Sequence, residues 1–204
     1  MKRAVEELRE RENAREAILT HSHRARMLSK QAILLIHNNA FVDAKAKIDE
    51  AKRLMEELDQ HLLEHVEFHD YEEVHAAGEE YAEAAILYEL RSSSSFPLPE
   101  LLGVSPQTYL LGIGDVVGEL KREAMDSLRL GDIEAAENDL RLMEDIYLSL
   151  LSMEEASLLL KGLRRKLDIA RSVIESTRGE LTNETGRRRL IESIRELIGK
   201  IDEK

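Results

Sequence analysis

Glu79-Glu80-Tyr81-Ala82-Glu83-Ala84-Ala85-Ile86-Leu87-Tyr88 sets a carboxylate, Glu83, inside the segment 81–88, which is otherwise apolar. On a helix the following residues give Glu83 apolar neighbours along the chain and around the helix, the pattern of an interior helix and not of a surface one. An ionised carboxylate removed from water needs a proton, a cation or a metal ion beside it, so this acid is more informative than one on a polar face. Glu80 lies three residues earlier, about 5–6 Å away on the same face, where two like charges repel unless a cation lies between them.

A second acidic pair follows in Gly112-Ile113-Gly114-Asp115-Val116-Val117-Gly118-Glu119-Leu120-Lys121-Arg122, with Asp115 and Glu119 four residues apart. Together Glu80, Glu83, Asp115 and Glu119 offer oxygen ligands on two helices. That donor set suits a hard divalent cation such as Mg²⁺ or Mn²⁺ and needs neither cysteine nor histidine. Spacing by itself is a weak signal, because Glu7/Glu10, Glu64/Glu67 and Glu134/Glu137 repeat it in a chain with 41 acidic residues. A plain polar face accounts for Asp115 and Glu119 as well. The apolar company of Glu83 and the glycine-bearing surroundings of Asp115 are what raise these four above the rest.

The composition sets the frame. A chain of 204 residues has room for one well-buried core, and its three prolines, ten glycines and absence of tryptophan, with long tracts of Ala, Leu, Glu, Lys and Arg, predict an all-α protein. No cysteine is present, so disulfides and thiolate metal sites are excluded. The charged start, Met1-Lys2-Arg3-Ala4-Val5-Glu6-Glu7, does not read as a signal peptide, and no stretch reaches the roughly 20 apolar residues of a membrane span. A cytoplasmic protein with no membrane association is expected. The net charge of −12 argues against a surface that coats nucleic acid throughout, yet 29 Lys and Arg remain to form a local basic patch.

Taken in order, the periodicity predicts about seven helices in a single domain, 1–204, with its core at about 12–182 and a C-terminal helix over 184–204. The first helix runs from about Arg3 to Ile36 and stops at His37-Asn38-Asn39; Arg24, Arg26 and Lys30 form its cationic group, most simply a solvated face. The second runs from Phe41 to about Phe68. Its His61, His65 and His69 recur every fourth residue, but no further ligand completes a tetrahedral zinc set, so a polar helix end is the better reading. The third helix, about Tyr71 to Leu90, ends in the loop Arg91-Ser92-Ser93-Ser94-Ser95-Phe96-Pro97-Leu98-Pro99, read as a connection inside one domain. Ser105-Pro106 opens a fourth helix, Gly131-Asp132 closes it, and Asp132 caps a fifth over about Ile133 to Met153. A sixth starts near Glu154 and carries the basic cluster Arg164-Arg165-Lys166. Arg178-Gly179-Glu180-Leu181-Thr182-Asn183 reads as a turn, and a last helix then runs from Gly186 to Ile201 with Leu190, Ile194, Leu197 and Ile201 on one face.

Glu79-Glu80-Tyr81-Ala82-Glu83-Ala84, Val104-Ser105-Pro106-Gln107-Thr108-Tyr109-Leu110-Leu111-Gly112-Ile113-Gly114-Asp115-Val116-Val117-Gly118-Glu119-Leu120 and Ser127-Leu128-Arg129-Leu130-Gly131-Asp132 together resemble the translin family, and more closely translin-associated factor X and its archaeal relatives. The resemblance covers about Glu12 to Thr182. It implies a seven-helix fold whose subunits close into an octameric shell around RNA. In factor X-type subunits the matching acids form a Mg²⁺-dependent endoribonuclease site acting on single-stranded RNA and some duplex ends. Carried over, the catalytic and metal-binding candidates are Glu80, Glu83, Asp115 and Glu119, with Lys121 and Arg122 placed to neutralise RNA phosphate. Translin-type subunits lack the full acidic set and only bind RNA or single-stranded DNA. This chain keeps all four acids, which implies the catalytic type in a homo-oligomer. Two other readings compete with it: a non-catalytic nucleic-acid binder of the same family, and an all-α Mg²⁺-dependent nucleotide pyrophosphohydrolase, whose second acidic pair is typically spaced by three where Asp115 and Glu119 are four apart. A purely structural helical scaffold leaves the setting of Glu83 unexplained.

Overall fold

A computed structural model describes residues 1–153 and 160–202. It contains seven α-helices, one short 3-10 turn and no strand among the described residues. The chain divides into two compact units, residues 1–116 and 117–204.

Unit 1 is built on α1 (Lys2–His37), α2 (Phe41–Glu64), a 3-10 turn (Val66–Phe68) and α3 (Glu72–Ser93), followed by the four-residue α4 (Pro99–Leu102) and the start of α5 (Pro106–Leu130). α1 packs on both α2 and α3, and α2 also touches α3. The seam on α1 runs through Ala14, Ile18, Ser22, Ala25, Ser29 and Ala32, whose alanines and serines bring the neighbouring helices close. Ser29 spends its hydroxyl on the Ala25 carbonyl, 2.9 Å away, so its burial leaves no open donor. At one end Ile18, Leu58, Leu62 and Phe68 close a hydrophobic cluster with Ala14, flanked by Met55, Tyr71 and Val74. The α1–α2 turn uses Asn39 at φ 58, a left-handed conformation that asparagine tolerates better than most residues.

α3 is the inner helix, buried without a break from Tyr81 to Leu87. The opening decapeptide therefore lies where its composition predicts. After Ser94, left-handed at φ 54, the chain doubles back through α4. Two bonds tie this return to the bundle: the Tyr81 hydroxyl donates to the Leu102 carbonyl at 3.2 Å, and Lys52 Nζ to that of Leu101 at 2.9 Å. Burial, with Glu56 and Asp49 nearby, holds the Tyr81 phenol protonated well above its usual range and keeps it a donor. The whole 94–105 connection lies within unit 1. Ser105 caps α5 as its sequence predicts, accepting from the Thr108 N–H at 3.1 Å.

Unit 2 comprises the rest of α5, α6 (Ile133–Leu151) and α7 (Leu163–Asp202). Gly131, at φ +86, makes the turn into α6, where the Asp132 carboxylate accepts from the Ala135 N–H at 3.0 Å. α6 and α7 pack together; Leu163, Leu167, Ala170, Ile174, Thr177 and Leu181 recur at the alternating three and four spacing of a helix–helix seam.

Two sequence expectations need correction. The second helix stops at Glu64, not Phe68, because His65 leaves helical geometry (φ −132) and a 3-10 turn takes over. His61, His65 and His69 thus share no helical face. The predicted turn at 178–183 is helix, and α7 is continuous from Leu163 to Asp202. Arg178 pairs with Glu175 on its own helix at 2.6 Å and with Glu144 on α6 at 2.5 Å, Thr182 bonds back to the Arg178 carbonyl, and Leu181 is buried. These ties offset the roughly 1 kcal/mol that an interior glycine costs a helix relative to alanine. The predicted helix start near Glu154 falls outside the described residues.

Candidate metal and nucleic-acid site

The carboxylates are positioned by glycines. A Cβ placed on Gly112 would stand 2.7 Å from the Ala82 Cβ, 3.0 Å from the Glu79 carbonyl oxygen and 3.1 Å from the Glu83 nitrogen. One placed on Gly78 would meet Thr108 Cγ2 at 2.8 Å. Gly112 thus lies against the backbone of α3, and Gly78 against the side chain of Thr108, each in a space that admits no Cβ. The pairs 78/108 and 82/112 each advance by four residues, so the two helices run parallel here. Glu80 and Glu83 flank this crossing on α3, and Asp115 follows Gly112 by about one turn on α5.

Glu83 is 8% exposed, the one buried glutamate among the described residues. Glu80 is partly buried, with a side-chain exposure of 21%, and faces α1: its Oε1 lies 3.2 Å from Lys30 Nζ and 3.6 Å from Arg26 Nη2. Arg26 and Lys30, four residues apart, form one turn of α1 that supplies the cation the Glu80/Glu83 pair demands. The Arg26 Nε is itself buried without a hydrogen-bond partner, an open donor beside an acid. Of the cationic group noted in the sequence, Arg24 turns elsewhere, to Glu50 at 2.6 Å. Sequence reasoning left Arg26 and Lys30 on a solvated face; their spacing was visible, but the facing acid was not.

Asp115 is partly buried in unit 1. Glu119 follows it by one turn of α5, in unit 2, with its side chain 25% exposed and its Oε2 4.0 Å from Arg122 Nη1. Arg122 is well exposed, whereas Lys121 Nζ donates to Ser176 Oγ on α7 at 3.3 Å. Among the described residues no three His, Asp or Glu side chains are gathered as a ready metal cage. The donor chemistry of the four acids still fits a hard cation, all of it carboxylate oxygen. In this structure Glu80 meets its charge requirement through Arg26 and Lys30.

Other polar features lie elsewhere. The His21 and His61 rings stack at 5.5 Å, with His21 Nε2 3.6 Å from Glu57. A cavity of about 340 Å³ lies between α2, α3 and the 95–102 segment, against Tyr81, Ala85 and Tyr88, and none of the four acids lines it.

The translin family model matches residues 13–176, and the chain belongs to the translin family. Its relatives include a protein of Methanocaldococcus jannaschii, 30% identical over 176 residues that span 85% of this chain and 78% of that one. Among solved structures, the AfC3PO complex with duplex RNA superposes with a TM-score of 0.81 at 32% identity, covering 92% of this chain and 97% of that one. Apo-NeC3PO gives 0.81 at 30% identity, covering 90% and 96%. The fold and family implied by the sequence motifs therefore hold. No helix among the described residues is long and apolar enough to cross a membrane.

Proposed function

We propose that this chain binds RNA and hydrolyses its phosphodiester bonds with Mg²⁺ or Mn²⁺, as a subunit of a homo-oligomeric cytoplasmic shell, octameric by family resemblance. The RNA part rests on membership of the translin family and on the likeness to AfC3PO, whose complex holds duplex RNA. Single-stranded RNA is the proposed substrate. The observation that carries the hydrolytic part is Glu83, a buried carboxylate beside the tight contact of Gly112 with α3.

Glu80, Glu83, Asp115 and Glu119 are the proposed ligands. A divalent ion held by carboxylates supplies an activated water and stabilises charge on the phosphoryl oxygens. The chain's part is to hold the acids and position the phosphate. Glu83 is fixed by burial, and the Gly112 contact sets the separation of the two helices that carry the acids. Lys30 and Arg26 lie against Glu80 and hold it towards α1. Arg122, exposed one turn beyond Glu119, reaches for substrate phosphate; Lys121 adds positive charge beside it while braced against Ser176.

The test is cleavage of an end-labelled single-stranded RNA by wild-type and Glu83→Gln protein, with Mg²⁺ or Mn²⁺ against EDTA. Metal-dependent cutting that disappears in the variant supports the assignment. Assembled wild-type protein that binds the RNA but leaves it intact would make this a binding member of the family, and hydrolysis confined to free nucleotides would favour the pyrophosphohydrolase reading.

A further inference from the structure

A second polar feature lies wholly within unit 2. The turn from α5 to α6 and one face of α7 enclose a cleft of about 400 Å³ into which Arg129, Arg187, Arg188 and Arg195 project. Only Glu184 and Glu192 oppose them among its lining residues, so the cleft carries an excess of positive charge in a chain whose net charge is −12. Such an island calls for an explanation, because like charges do not gather at no cost.

The guanidinium groups are held in place. Glu184 binds Arg187 through two parallel bonds of 2.8 Å each and reaches Arg188 Nε at 3.5 Å, so one carboxylate aligns two arginines on successive positions of α7. Those bonds keep Glu184 ionised below its ordinary range. Arg188 lies directly over Gly131, where any side chain would overlap its guanidinium, so the glycine serves both the left-handed turn and the seat of the arginine. Arg129 pairs with Asp126 at 3.3 Å at the mouth, and Arg195, two turns beyond Arg188 on the same face, forms no ion pair among the described residues. Glu184, Arg188 and Arg195 recur at the spacing of one helical face, away from the apolar stripe of Leu190, Ile194, Leu197 and Ile201.

Guanidinium forks presented in a row match the non-bridging oxygens of successive phosphodiesters, which arginine engages in pairs. We infer that this cleft is a docking site for the phosphodiester backbone of RNA, separate from the four carboxylates and free of any role in the cutting step. Arg129 and Arg195 supply the contacts at the two ends, while Arg187 and Arg188, braced by Glu184, line the middle. The site reads backbone charge and not base sequence.

The inference rests on the RNA-binding reading, and the experiment separates the two. Binding of a fluorescein-labelled single-stranded RNA is followed by anisotropy in EDTA across a salt series, for wild type, Arg129→Ala/Arg195→Ala and Arg129→Lys/Arg195→Lys. Neither arginine belongs to the proposed catalytic set, and both are at the surface, so assembly by size-exclusion chromatography stays as in wild type. Loss of two phosphate contacts weakens binding about tenfold at low salt and flattens the log–log salt dependence by about 1.4, since each contact on a single strand contributes about 0.7. The lysine pair restores most of both. Wild-type affinity and slope in the alanine variant would overturn the site while leaving the RNA-binding reading intact. Failure of wild-type protein to bind RNA at all would overturn both readings.

Discussion

Gly112 meets Ala82 so closely that a methyl group on the glycine would stand 2.7 Å from the alanine Cβ, with the Glu79 carbonyl and the Glu83 nitrogen at 3.0 and 3.1 Å. Two of these three neighbours are backbone atoms, which cannot swing aside. Gly112→Ala must therefore part α3 from α5 beside Glu83, at a cost of about 1–3 kcal/mol for overpacking. Thermal melting should fall by several degrees, on the order of 2–4 °C per kcal/mol for a chain of this size. Gly118→Ala, on the same helix but with no atom within 4 Å of its would-be Cβ, is the control and gains helix propensity of up to about 1 kcal/mol. Equal losses from both substitutions would refute the close-packing account.

Glu83→Gln keeps the shape of the side chain and removes its charge. If Glu83 is a metal ligand, metal-dependent RNA cleavage should fall by at least about 100-fold, since even groups supporting a ligand are worth 10–100-fold. The melting temperature should fall far less than the activity, because the amide has nearly the volume of the carboxylate and leaves the packing intact. Rates in Mg²⁺ and in EDTA, alongside melting curves, measure both. A large drop in stability with proportionate loss of activity would mean that Glu83 holds the fold and not an ion.

The interior position of Glu83 could be read from its neighbours, because a helix with apolar residues on every side has nowhere to go but the middle. The Ser105 and Asp132 caps were equally legible, each a local hydrogen bond between residues three apart. Partners distant in sequence were not. Arg26 and Lys30 precede Glu80 by some fifty residues, and only the packing of α1 on α3 reveals that they face it. The false turn at 178–183 has the opposite origin: Gly179 and Asn183 are local breakers, and the bond from Arg178 to Glu144 on α6 that holds the helix through them is long-range.

Lys30 and Arg26 neutralise Glu80, so they compete with any cation offered to it. Lys30→Ala removes the nearer charge, 3.2 Å away and well exposed. An exposed pair of this kind is worth up to about 1 kcal/mol, so half-saturation by Mn²⁺ should shift to concentrations two- to fivefold lower. Calorimetric titration with Mn²⁺ reads this without reference to turnover. Weaker Mn²⁺ binding in the variant would instead show that Lys30 organises the ligands.

Glu184 gives α7 a pH dependence. Its hydrogen bonds to Arg187, chiefly, depress its pKa below the ordinary 4.5. The stabilising contribution of a depressed carboxylate is complete above its unfolded pKa and fades as pH falls through the folded one. Amide exchange in residues 180–190 should thus speed up as pH is lowered below about 4.5, after correction for intrinsic rates. In Glu184→Gln this acid-dependent change should vanish. An unchanged pH profile in the variant would assign it to other acids of α7.

Gly179 distinguishes a continuous α7 from two helices joined by a turn. In the structure it lies mid-helix, with nothing within 4 Å of where a Cβ would go, and its φ is not among the positive values found at Gly103, Gly131 and Gly162. Alanine fits there without strain and restricts the unfolded chain more than glycine does. Gly179→Ala should consequently stabilise by about 0.5–1 kcal/mol and raise the melting temperature by about 1–4 °C, at equal protein concentration. At Gly131, where φ is +86 and Arg188 occupies the space, the same substitution must destabilise. Were 178–183 a turn that used glycine for left-handed geometry, Gly179→Ala would lower the melting temperature as Gly131→Ala does. The sign of the shift at position 179 therefore decides between the two descriptions of the helix that carries the arginine cleft.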